Sequence, residues 1–199
     1  MKNHLQFIWW KYLAILLIPI IVWCSIFSAM QKPKAYQRVH ILYIGSALDA
    51  EGLQAQLQSA LPDLTDQKLK AVTVTIASPV ENSYVTLEAR CFDYDILIFE
   101  QSSMPENVGQ AVFVRLTEAL IAQFPEATLY QEDVADAGIL TYGFQLEKSS
   151  RFGAYYTGNA PCYLFVSPRS ENFDTLNENG RAGNDAALRF AQYLLEIAP

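Results

Sequence analysis

Histidine, cysteine and charge are all scarce in this chain of 199 residues. The only histidines are His4 and His40, and the cysteines are Cys24, Cys91 and Cys162, with no CxxC pair among them. A zinc site draws on those residue types, so no metal site is expected. Charged side chains fill 18% of positions, and residues 1–34 hold no acidic one. Their four lysines (Lys2, Lys11, Lys32 and Lys34), taken from 14 basic residues, leave 10 basic against 21 acidic over 35–199, a net charge of −11. Lys and Arg must displace counterions on a phosphate backbone, so a nucleic-acid partner is not expected of such a domain. Neither GxxxxGK(S/T) nor GxGxxG occurs, and no cofactor is expected. At 51% hydrophobic positions the chain is not intrinsically disordered.

What the chain does have is one long apolar run. Tyr12 to Met30 are nineteen residues without a charge, about 28 Å as a helix, close to a hydrocarbon core of about 30 Å. Trp9, Trp10 and Tyr12 stand beside Lys11 at one end, as an interfacial aromatic belt would. Cleavage as a signal peptide after Ala29 would put bulky Phe27 at the minus-three position, a poor fit. The sequence therefore predicts an uncleaved membrane anchor over residues 1–30, with 12–30 in the membrane. A polar linker follows over 31–37, then an α/β domain over 38–199. A short tail ahead of a large acidic domain is the layout of a single-pass protein of the cell membrane whose domain lies outside the cytoplasm.

Within the domain, strands and helices alternate. Arg38–Gly45, Lys70–Ala77 and Asp95–Phe99 read as strands, the last nearly all apolar and so covered on both faces. Asp49 caps a helix carrying Leu53, Leu57 and Ala60–Leu61 on one face and ended by Pro62. A short helix fits Glu81 to Cys91. Asn107 caps a longer one with Val108, Val112, Leu116, Leu120 and Phe124 at helical spacing. Ala127–Tyr130 is a short strand, and 138–146, 154–156 and 162–166 are β-rich. Residues 167–183 read as loop, and Asn184 caps a closing helix with Ala187, Leu188, Ala191, Leu194 and Leu195 inward. This alternation predicts an α/β fold, a mainly parallel sheet with helices on both faces, preceded by one transmembrane helix.

Candidate chemistry follows from the rule that open α/β sheets bind ligands beyond the carboxyl ends of their strands. Those ends are Gly45-Ser46-Ala47 after the first strand and Glu100, Gln101, Ser102 and Ser103 after the third. Ser46, Glu100, Gln101, Ser102 and Ser103 are candidate ligand-binding residues for a small polar ligand; ordinary turn and loop solvation is the alternative. Tyr142, with Phe144, Tyr155 and Tyr156, offers stacking surface for a sugar, against the alternative that these rings are core. Cys91 and Cys162 either form a disulfide or stay as small buried side chains. Glu132, Asp133, Asp136 and Glu147 lack the regular spacing of an EF-hand and read as solvated. His40 falls inside a strand, which removes the base of a Ser-His-Asp triad, and no catalytic residue is assigned.

Several stretches resemble one lobe of the bacterial extracellular solute-binding proteins of ABC importers. Ala71–Ala77 (AVTVTIA) followed by Leu87–Phe99 (LEARCFDYDILIF) is similar to that family's strand, short helix and strand. Tyr142–Leu146 (YGFQL) with Ala154–Tyr156 (AYY) resembles the passage where the family's chain approaches its ligand. Asn184–Leu195 (NDAALRFAQYLL) resembles the late helix of the first lobe. Family receptors have two lobes and are about twice as long. The resemblance therefore implies a one-lobe, membrane-tethered relative, with a membrane permease as its partner.

Two classes of function follow. One is a non-enzymatic binding or accessory protein, membrane-anchored, extracytoplasmic and associated with an ABC-type transporter. The other is an envelope serine hydrolase using Ser46 or Ser102, which lacks an evident general base.

Overall fold

The computed structural model describes residues 2–31, 34–64, 69–78, 84–173 and 185–198. The chain divides into two compact units, Met1–Lys34 and Ala35–Pro199.

The first unit is helix α1 (Lys2–Gln31), with Pro19 inside it. Trp9 and the side chains from Lys11 to Phe27 are exposed. The expected transmembrane helix over 1–30 is not upheld. Among the described residues, no helix is long and apolar enough to cross a membrane.

The second unit is built on six strands. They are β1 (Arg38–Ile44), β2 (Ala71–Ala77), β3 (Ile96–Glu100), β4 (Leu129–Val134), β5 (Gly138–Leu146) and β6 (Cys162–Val166). Its helices are α2 (Ala50–Leu64), α3 (Tyr84–Arg90), α4 (Val108–Val112), α5 (Glu118–Ile121) and α6 (Ala186–Leu195). The strand order is β2-β1-β3-β6-β5-β4. β1 pairs in parallel with β2 and β3, while β3–β6, β6–β5 and β5–β4 are antiparallel.

The sheet is thus mixed, not mainly parallel, and the connections explain it. Parallel neighbours need a crossover of a dozen or more residues, which α2 and α3 provide on either side of β2. β4 and β5 are joined by residues 135–137, a turn closed by the Ala137 N–H to the Val134 carbonyl at 3.0 Å. A connection that short permits only an antiparallel hairpin. Between β5 and β6 the expected strand at 154–156 is a 3-10 turn, Gly153–Tyr155, followed by an isolated bridge from Tyr156 to Leu48.

Strand alternation sorts the core onto two faces. Val39, Ile41, Tyr43, Ile96 and Ile98 pack with Leu53, Leu57 and Leu61 of α2 and with Ala187, Phe190 and Leu194 of α6. Leu42, Ile44, Leu97, Phe99 and Phe165 face the other way, onto Leu87 of α3 and Val108 of α4. At Tyr142 the β5 ladder slips: Tyr130 pairs with Gly143 and Gln131 with Thr141, leaving Tyr142 as an extra residue. An inserted residue shifts the alternation. Tyr142 accordingly faces the α4 side, while Phe144 and Leu146 join the opposite cluster.

The single helix expected from Asn107 to Phe124 is two short ones. Phe113 leaves α4 in an extended conformation and stacks on Phe165 with centroids 4.6 Å apart. Leu116 then donates its N–H to Thr141 at 2.8 Å, and Thr117 caps α5 by accepting from the Leu120 N–H. Helix α2 runs through Pro62 to Leu64. Asn184, residues 174–183 of the expected 167–183 loop, 32–33 of the linker and 81–83 of the expected 81–91 helix lie outside the described residues.

Candidate functional site

β1 and β3 are parallel neighbours, and the chain leaves their carboxyl ends toward opposite faces: α2 follows β1 onto one core cluster, and α4 follows β3 onto the other. In open α/β sheets such a reversal marks the crevice between two adjacent strand ends where ligands usually sit.

Ser46 and Glu100 meet at that crevice. Oε2 of Glu100 accepts from the Ser46 N–H at 3.3 Å and from the Tyr43 hydroxyl at 3.2 Å. Gly45 makes this approach possible, because a Cβ there would stand 2.6 Å from Oε2 and 2.5 Å from the Tyr43 hydroxyl oxygen. Gln101–Ser103 form a 3-10 turn just beyond, pinned by the Gln101 N–H donating to the Pro161 carbonyl at 2.9 Å. Ser46, Gln101 and Ser102 are exposed; Glu100 and Ser103 are half-buried.

The segment from Tyr155 to Pro161 borders the same crevice. The Asp49 N–H donates to the Tyr155 carbonyl at 3.0 Å, and the Thr157 N–H to the Ala47 carbonyl at 2.9 Å. Under it lies an aromatic trio: Tyr43 is 6.3 Å from Phe152 and 6.5 Å from Tyr156, centroid to centroid, and the latter two are stacked at 5.8 Å. Burial pushes the Tyr43 and Tyr156 hydroxyls well above the ordinary tyrosine range, with Cys162 and Glu100 adding to it. Both phenols stay neutral donors. Burial also lifts the Cys162 thiol to about 11.

Tyr142 is not part of this group. It is buried on the bulge of β5, against Gly109 of α4 and near Glu132. Residues that the sequence did not single out here are Tyr43 and Thr157. Tyr43 reads as one more apolar strand residue, and only the pairing of β1 with β3 brings its hydroxyl to Glu100.

The opposite end of the sheet holds a second polar assembly. Asp95, buried at the start of β3, accepts from the His40 N–H at 2.8 Å, from the Asn172 amide at 3.1 Å and from the Ser170 hydroxyl. The Ser167 hydroxyl donates to the Cys91 carbonyl at 2.6 Å, and the Asn172 amide to the Arg38 carbonyl at 2.8 Å. These bonds tie β1, β3 and residues 167–172 together. Burial raises the Asp95 carboxyl, against the pull of its three donors. A cleft of about 710 Å³, bordered by Arg38, His40, Phe92, Tyr94 and Arg169, opens beside it. His40 is held below its usual range, first by burial and then by the Arg38 charge. It stands four strand residues before Ile44, about 13 Å from the crevice by strand rise. That separates it from Ser46 and Ser102 as a base.

A wider cleft of about 820 Å³ lies between residues 123–128 and the end of α6; it contains none of the candidate ligand-binding residues. Cys91 and Cys162 are both free and buried, so they form no disulfide. Among the described residues, no three His, Cys, Asp or Glu side chains are grouped to hold a metal ion. Glu132 is not solvated but buried, capping α4.

No family model matches the chain, and neither a curated protein nor a solved structure matches it.

Proposed function

We propose that the chain is a non-enzymatic binding or accessory protein whose 35–199 unit seats a small polar ligand at the carboxyl ends of β1 and β3. The observation that carries this reading is the convergence of Ser46, Glu100 and the Gln101–Ser103 turn on the point where the chain diverges to opposite faces. The exposed Ser46, Gln101 and Ser102 beside a buried aromatic base suit recognition, which needs polar groups on an apolar base. The distance of His40 from both serines weighs against the hydrolase alternative. The resemblance of several segments to solute-binding receptors adds a membrane permease as the proposed partner.

The test is a thermal-shift screen of the full chain against small polar compounds, repeated on Ser46→Trp, which fills the crevice from an exposed position. Stabilisation lost in Ser46→Trp is the expected result, since a ligand bound only to the native state raises the melting temperature. Labelling of Ser46 or Ser102 by a serine-directed covalent probe would overturn the reading in favour of the hydrolase.

A further inference from the structure

We infer that the crevice ligand is a small organic cation, an ammonium or guanidinium compound, received by the free oxygen of Glu100. This inference rests on the binding reading above and names the chemistry of the same site. Both protein hydrogen bonds to the Glu100 carboxylate fall on Oε2. Among the described residues, Oε1 accepts none, and no Lys or Arg pairs with the group. The Tyr43 hydroxyl, on a side chain with no exposed surface, and the Ser46 amide hold one half of the carboxylate in place. The other half is left for a donor from outside. Backbone pairing of Glu100 with Cys162 and the Gln101 bond to Pro161 hold the residue from below.

The neighbours suit a positive ligand. Ser46, Gln101, Ser102 and Thr157 are exposed, uncharged and able to accept hydrogen bonds from the remaining N–H groups of an ammonium ion. The net charge of −11 over residues 35–199 attracts cations. Among the described residues no three His, Cys, Asp or Glu side chains group here, which fits an organic cation better than a calcium ion, since calcium takes six to eight oxygens, often from several carboxylates.

The experiment is calorimetric titration of the full chain with spermidine and with L-lysine amide, using erythritol and glutarate as uncharged and anionic contrasts. Hydrogen exchange of peptides covering residues 43–49 and 99–104 locates the binding. Glu100→Gln keeps an acceptor for Tyr43 and Ser46 but removes the charge; Asp133→Asn removes an exposed charge elsewhere. Cation binding that protects both peptides should weaken roughly tenfold or more in Glu100→Gln, weaken with added salt, and survive Asp133→Asn. Equal weakening in both variants would reduce the effect to the overall field and overturn the inference. Calcium binding in place of the organic cations overturns it as well. Erythritol or glutarate protecting the same peptides, indifferent to Glu100→Gln, overturns the cation and leaves the seat standing. If no probe protects either peptide, the seat and the cation fall together.

Discussion

The carboxylate of Glu132, on β4, accepts the backbone N–H of Gly109, in the first turn of α4, at 2.7 Å. The Gln110 N–H reaches its other oxygen at 2.9 Å, and the Tyr130 hydroxyl shares the first at 2.7 Å. Asn107, at the N-cap position, has a left-handed backbone (φ 52°) and makes no side-chain cap bond. The cap therefore comes from a strand twenty-two residues or more away along the chain.

Glu132→Ala leaves two helix N–H groups and a phenol unpaired in a buried place. It is expected to lower stability by about 1–3 kcal/mol or more, the cost of unsatisfied buried donors. Asn107→Gly should stay within about 0.5 kcal/mol of the parent, since its side chain caps nothing. Urea unfolding of the two variants checks the pair, and the reverse ranking would place the cap on Asn107.

Asp95 sits among donors only. An amide in its place must turn its own N–H₂ toward the His40 N–H or the Asn172 amide. Asp95→Asn is therefore expected to cost about 1–3 kcal/mol at pH 7. The carboxyl is raised by burial, so the folded chain holds its proton more tightly than the unfolded one. Its contribution is fully present below the unfolded value of about 3.9 and is lost as pH rises through the folded value. The variant should lack that downward slope in a pH series of unfolding curves.

His40 carries the opposite sign. Its folded value lies below the ordinary histidine value of 6.5, because burial and Arg38 outweigh the opposing Asp95 and Asp93. Its contribution is present above pH 6.5 and is lost as pH falls through the folded value, because the unfolded chain takes the proton first. Subtracting the stability of His40→Gln from the parent between pH 8 and pH 5 should give a difference that shrinks toward acid. A flat difference would mean that His40 titrates alike in both states.

Cys91 and Cys162 are buried, and burial lifts each thiol to about 11. Alkylation proceeds through the thiolate, which is scarce at pH 8 for such groups. In a Cys24→Ser background, iodoacetamide should label neither residue in the native protein and both after unfolding. Native labelling at either position would show that its surroundings open.

The candidate site was legible in part. A polar step follows each of two apolar runs, and that was enough to single out Ser46 and Glu100–Ser103. Their meeting depends on β1 and β3 being neighbours, which no residue spacing states. Tyr142 went the other way because one extra residue in β5 turns its ring toward α4, a shift invisible without the β4 pairing. Glu132 and Asp95 look like any acidic residues in a chain; apart from Tyr130 beside Glu132, their partners come from 22 to 77 positions away.

By itself the sequence determined the order of strands and helices in the first half of the domain, because β-branched runs and apolar faces at helical spacing act locally. It also determined the charge imbalance and the helix through the apolar N-terminal run. Only the tertiary structure decided the direction of β4, β5 and β6, the break of the expected 107–124 helix at Phe113, and the pairing of Glu100 with Tyr43 and Ser46. Each of these rests on contacts between residues far apart in the chain: a three-residue turn that must reverse direction, an aromatic stack that outweighs helix continuation, and a carboxylate drawn to donors on a neighbouring strand.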